Sequence, residues 1–156
     1  MKQPLILVIF FAISLATSAE TTEKKKLPPC QNTPNCVSSQ STDNLHYIAP
    51  FKISGPPKTA WEELRRLIVD HDRMLITHES KTSLHAEATS LVLQFVDDID
   101  AFLDEEAGLI HIRSASRIGH SDFGVNRKRI ETFRQQLRKI HVIAKLANPR
   151  ENTGYN

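Results

Sequence analysis

The sequence predicts an α+β domain of two layers, an antiparallel sheet of four or five strands packed with two main helices. Three observations carry that expectation. Apolar residues recur every three or four positions in two separated stretches, 59–71 and 126–146. Between them, 73–115 alternates apolar and polar residues in short runs broken by polar turns. The chain has 156 residues, so removing a leader at 1–19 leaves about 137, one domain's worth and too few for a large multidomain enzyme.

Residues 1–19 read as a signal peptide. Lys2 precedes the apolar run Leu5 to Ala12, and small residues at Thr17 and Ala19 fit a cleavage site. The apolar run is shorter than the roughly 20 residues that span a bilayer, and no later stretch is long enough. The expected location is therefore periplasmic or secreted, in an oxidising space. The formal charge is +2, and without Lys2 the chain lies within one charge of neutral. That balance gives no case for nucleic-acid binding.

Residues 20–27, with Lys24, Lys25 and Lys26, read as a flexible basic leader, and 28–146 as the single α+β domain. Cys30 and Cys36 are the only cysteines. In an exported chain they most simply pair as a disulfide, since a redox pair is usually spaced two apart. A metal site on Cys30, Cys36 and His46 would need reduced thiolates and a fourth ligand. The Pro-, Asn- and Ser-rich stretch 28–41 should be irregular, and 46–51 can enter the sheet as a short edge element.

Thr59 and Glu62 have the capping-box spacing, so a helix is expected over 59–71 with Trp61, Leu64, Leu67 and Ile68 on its apolar face. Strands are expected at 73–79, 84–90, 95–103 and 109–115. In the second, Leu84, Ala86 and Ala88 oppose His85, Glu87 and Thr89; in the third, Asp97 and Asp98 point to opposite faces. The last helix, 126–146, places Ile130, Phe133, Leu137, Ile140 and Ala144 in one stripe. Beside it Arg127, Arg134, Arg138, His141 and Lys145 form a basic stripe, either a ligand rim or a solvated face. Residues 147–156 read as a flexible tail.

Chemistry concentrates in the segment joining the last strand to that helix: Arg113, Ser114, Ser116, Arg117, Gly119, Ser121, Asp122, Gly124, Asn126, Arg127 and Arg129. Asn126 suits a helix cap. Arg127, Lys128 and Arg129 then crowd the turn where the helix dipole favours negative charge. Two sources can neutralise them. One is internal, with Asp97, Asp98, Asp100 and Asp122 meeting Arg113, Arg117 and Arg129 in bidentate pairs. The other is external, a carboxylate, phosphate or sulfate held by Arg113, Ser114, Ser116, Arg117, Ser121, Asn126, Arg127 and Arg129. In that case Asp97, Asp98, Asp122, Gly119 and Gly124 support the loop.

The Cys30-to-Gln40 stretch, His46-Tyr47-Ile48-Ala49-Pro50, Asp97-Asp98, and Arg113 to Arg117 through Gly119, Ser121-Asp122, Gly124, Asn126-Arg127 and Arg129-Ile130 together resemble the domain-of-unknown-function family numbered 1499. The resemblance covers residues 28–145, with several separated motifs in order. It implies an uncharacterised domain of bacterial envelope and plant plastid proteins and brings no activity, ligand or cofactor.

The function read from these residues is an exported envelope protein, a binding or scaffold module whose Arg/Ser-rich loop contacts a small anion or an envelope protein. One alternative is a structural or assembly protein with internally paired arginines. Another is a hydrolase of an anionic envelope metabolite. The hydrolase would draw on Ser116 or Ser121 with His120 and Asp122, neighbours in sequence that seldom meet in triad geometry. The histidines show no metal-ligand spacing, so neither metal nor cofactor is expected.

Overall fold

The computed structural model describes residues 26–144; the predicted leader at 1–19, most of 20–27 and the tail at 147–156 lie outside the described residues. In chain order the elements are β1 (Cys36–Ser38), β2 (Phe51–Lys52), α1 (Pro57–Val69), β3 (Met74–Glu79), β4 (Ser83–Thr89), β5 (Val96–Asp104), β6 (Leu109–Ser116) and α2 (Val125–Lys139). The sheet is antiparallel and six-stranded, ordered β1-β6-β5-β4-β3, with β2 pairing β6 beyond the end of β1. The four predicted strands form as β3 to β6, with β4, β5 and β6 following the predicted alternation and β3 irregular at the sheet edge, and the α+β class with two helices stands.

The additional strand is β1, inside the stretch expected to be irregular. Only three residues extend, and their partners Ala115, Ser114 and Arg113 lie far along the chain, so no local pattern marks them. The predicted edge element contributes less than expected. Tyr47 makes a single bridge to Ser38, and the ladder proper holds only Phe51 and Lys52.

α1 begins at Pro57, two residues before the predicted start, with Pro56 at the N-cap and no side-chain cap. The Thr59–Glu62 capping box is therefore not the helix start. A proline at the first helical position loses nothing, because that amide would have no intrahelical partner. Ala60, Trp61, Leu64 and Ile68 are buried.

α2 stops at Lys139 instead of running to 146. His141 takes a left-handed φ of 64°, and the Val142 amide bonds back to the Leu137 carbonyl at 3.2 Å. The following residues then pair with the β2 region, Ile143 with Ile53 and the Ala144 amide with the Lys52 carbonyl at 2.8 Å. Ile140 is consequently exposed while Ile143 is buried. Closing the sheet edge satisfies backbone groups and buries Ile143, which continuing the helix would not do.

Both helices lie on one face of the sheet. Ala86, Ile99, Ala101, Ile110 and Ile112 meet Trp61, Leu64, Ile68, Ile130, Phe133 and Leu137 there in one core. Each fully buried branched side chain stabilises the fold by roughly 1.5–3 kcal/mol. The opposite face carries His85, Glu87, Asp98, Asp100, Phe102, His111 and Arg113. Its lower part is flanked by the segment 26–30, whose Leu27 amide bonds to Gln40 Oε1 at 2.8 Å. The predicted disulfide joins Cys30 to Cys36, which excludes the Cys/His metal site; His46 instead contacts Asp43 and the Thr33 carbonyl.

Candidate functional site

The loop from β6 to α2 is fixed through Asn126, which is fully buried. The two hydrogens of its Nδ2 are shared among three acceptors, the Asn35 carbonyl at 3.0 Å, Ser116 Oγ at 3.0 Å and Asp122 Oδ2 at 2.8 Å. Its Oδ1 accepts from Ser114 Oγ at 2.6 Å and from Arg129 Nη1 at 2.7 Å. Asn126 is therefore not the cap. The N-cap is Gly124, at φ 79°, and the carboxylate of Asp122 takes the Gly124 amide at 3.0 Å and the Asn126 amide at 2.8 Å. Asp122 thus supplies negative charge to the helix start from within the chain.

Arg129 completes this network. Its Nη1 also donates to Ser114 Oγ at 2.8 Å, and its Nη2 pairs with Asp97 Oδ2 at 2.6 Å. Both side chains are largely buried. Asp97 faces the helices because it shares the parity of Ile99 and Ala101 on β5, and Ser114 shares that of Ile110 and Ile112 on β6. Asn35 Nδ2 reaches the Gly119 carbonyl at 2.7 Å, and Gly119 turns with φ 91°. Ser121 is exposed, with Oγ near the Phe123 amide at 3.3 Å.

Three arginines of the predicted basic stripe are tied to backbone carbonyls, while His141 lies exposed past the helix end and Lys145 lies outside the described residues. Arg134 is 1% exposed; it donates to the carbonyls of Ala49 and Pro50, and its guanidinium lies 4.7 Å from the centre of the Phe51 ring. Burial pulls its pKa below the ordinary arginine value, against the opposing pull of Glu131. Arg127 donates to the carbonyls of Tyr47 and Leu45 at 2.8 and 2.9 Å. Arg138 Nε reaches the Ala144 carbonyl at 3.3 Å. Arg127 and Arg134 clamp irregular backbone, supplying the donors that a sheet would otherwise give segment 45–50, and Arg138 does the same for the chain after α2.

On the sheet face away from the helices, cross-strand register builds a second charged array. His85 lies opposite Asp100, Glu87 opposite Asp98, and Asp100 opposite Arg113. His85 Nδ1 is 2.7 Å from Asp100 Oδ1, and Arg113 Nη1 donates to Asp100 Oδ2 at 2.9 Å. Arg117, beyond the end of β6, donates to Asp98 Oδ1 at 2.7 Å and to Glu87 Oε1 at 2.5 Å. The Asp98 and Glu87 hydrogen bonds hold its pKa above the ordinary arginine value.

The predicted residues thus divide between two faces. Arg129, Ser114, Ser116, Asn126 and Asp97 come together on the helix side, while Arg113, Arg117 and Asp98 belong to the other. Arg127 joins neither. Asp97 and Asp98 do point apart as expected. Among the described residues, His120 and Asp122 share no hydrogen bond with each other or with the Ser116 or Ser121 side chain, so no triad forms. Asp100 meets Arg113 as the internal pairing expects, whereas His85 and Glu87 lie outside the predicted site. The alternation His85-x-Glu87 and Asp98-x-Asp100 was visible, but only the register of β4 against β5 makes one array of them.

Two other features border the loop. A cleft of about 480 Å³ between the helices has Met74, Ala88 and Phe133 in its lining with Arg73, Lys128 and Arg129. At the same end of the sheet, the β4–β5 turn exposes Leu91, Val92 (82%), Leu93 and Phe95, and the β6–α2 loop exposes Ile118 and Phe123 (95%). The Arg117 amide bonds to the Val96 carbonyl at 3.1 Å, which holds the bases of these two loops side by side.

A family model described as "Protein of unknown function (DUF1499)" matches residues 26–137. No curated protein and no solved structure gives a match.

Proposed function

The chain belongs to the DUF1499 family, whose description carries no activity, and from its surface we propose that it is an exported binding or scaffold module that docks on another envelope protein. The contact element is the outer half of the 113–129 loop together with the β4–β5 turn. The observation that carries this is the pairing of a locked base with an apolar tip. Asn126 and Arg129 fix the loop from beneath, while Phe123, Ile118, Val92 and Leu91 stand in solvent at one end of the sheet. A rigid apolar tip buries area on a partner with little ordering cost, whereas left exposed it gains nothing for the fold. Export is supported by the leader-like residues 1–19 and by the Cys30–Cys36 disulfide.

A photo-crosslinking residue at position 123 tests the proposal in the native envelope. A discrete adduct is expected from 123 and not from position 62 on α1, and Val92→Asp should abolish it. No adduct, or one indifferent to Val92→Asp, overturns the docking surface. A second reading, an anionic ligand, rests on the cleft whose lining includes Arg73 and Lys128. It predicts that phosphate shifts the amide resonances of 128–132 and that Lys128→Ala removes the shifts.

A further inference from the structure

We infer that His85, Glu87 and Asp98 form a binding site for a divalent transition-metal ion of borderline hardness, such as zinc, on the sheet face opposite the helices. It is independent of the docking tip. One imidazole nitrogen and two carboxylate oxygens from these residues lie within 4.8 Å of one another, each side chain half-buried. This is a mixed N/O donor set, the kind that takes zinc, manganese or iron(II) in preference to calcium or magnesium.

The orientation of His85 distinguishes the array from an ordinary acidic patch. Its Nδ1 lies 2.7 Å from Asp100 Oδ1, a contact that orients the ring. The opposite ring nitrogen, Nε2, lies 3.6 Å from Asp98 Oδ1, with no hydrogen bond between them. A carboxylate behind a histidine whose far nitrogen is free is the usual outer support of a metal ligand. Arg113 in turn donates to Asp100, extending the support across β5 to β6.

Charge points the same way. Glu87, Asp98 and Asp100 place three carboxylates against the two guanidinium groups of Arg113 and Arg117. Arg117 occupies the space between Glu87 and Asp98 but is 43% exposed at the mouth of a loop. A divalent ion with bonds of about 2.1 Å needs its ligand atoms about 3–4 Å apart, which the Nε2–Oδ1 pair already meets. Metal entry therefore swings Arg117 outward into solvent and draws Glu87 in, the ion taking over the charge that the guanidinium supplied.

Calorimetric titration of the full, disulfide-bonded chain with zinc alone tests the site. One equivalent is expected. His85→Ala and Asp98→Asn should each weaken binding at least tenfold, and Asp100→Asn by about 10–100-fold through loss of ring orientation. Arg117→Ala should tighten binding by removing the competing guanidinium, a gain that no purely structural role for Arg117 predicts. His120→Ala, at an exposed histidine outside the array, should change nothing. Circular dichroism checks each fold, and Glu87→Gln replaces His85→Ala should that variant unfold. Absence of zinc uptake at millimolar metal, uptake unchanged by the His85, Glu87 or Asp98 variants, or weaker binding in Arg117→Ala overturns the site.

Discussion

At the scale of single residues, the arginines that look alike in sequence are separated by what lies within reach of each guanidinium. Arg129 meets a buried carboxylate, Arg134 buried carbonyls and an aromatic face, and Arg127 exposed carbonyls. Replacing Arg129 by Ala strands Asp97 in the core, so a loss of about 3 kcal/mol or more is expected, read as a urea-midpoint shift. Arg127→Ala should cost under about 1 kcal/mol, because water replaces the carbonyl contacts it gave up. Equal losses from the two would remove the internal role assigned to Arg129. The crowded cations at the helix start were legible in sequence. Which of them needed an acid was not, because Asp97 lies on another element and reaches Arg129 only through packing.

Asp43 gives a pH prediction at the same scale. The Ser41 hydroxyl and the His46 amide and ring stabilise its ionised form, pulling its pKa down to about 2. The unfolded carboxyl titrates near 3.9. The folded form therefore binds its proton less readily, and the stabilisation is complete above about pH 5 and disappears as pH falls through about 2. Asp43→Asn should flatten the acid limb of stability between those limits, measured as urea midpoints at successive pH values. An unchanged slope would show that Asp43 is not one of the groups producing it.

At the scale of elements, periodicity located both helices and the strands β3 to β6 but misjudged where α2 ends. Up to Leu137 the apolar stripe serves the core; beyond it, pairing with β2 outweighs continued helix, and Ile143 is buried in place of Ile140. The start of α2 depends on Gly124, whose φ of 79° suits glycine while an added Cβ would meet nothing within 4 Å. Gly124→Ala should therefore cost about 1 kcal/mol from backbone conformation alone, and Gly124→Asn less, since asparagine tolerates that region better. A loss from alanine of several kcal/mol in thermal denaturation would point to a steric clash the present geometry does not contain. The capping box at Thr59 failed for a local reason: Pro56 and Pro57 had already set the chain direction.

At the scale of the molecule, β1 is added to the sheet where the disulfide returns the chain from segment 26–30. The small ring constrains only its own neighbourhood. Reduction, or Cys30→Ser with Cys36→Ser, should cost about 2 kcal/mol and lower the melting temperature by roughly 5–10 °C, leaving the helix signal in circular dichroism unchanged. Loss of cooperative melting would mean that β1 and the 26–30 segment hold the sheet together, not merely its edge.

The sequence by itself determined the α+β class, the facing of each central strand, the cysteine pair and the loop in which polar chemistry gathers. All of these follow from periods of two and 3.6 residues and from the backbone needs of glycine and proline, which act within a few positions. Only the tertiary structure decided which acid meets which arginine, that Arg134 is buried, and that His85, Glu87, Asp98 and Asp100 share one surface. Those outcomes depend on strand register and on helix placement across the sheet, where contact is made between residues that no local spacing relates.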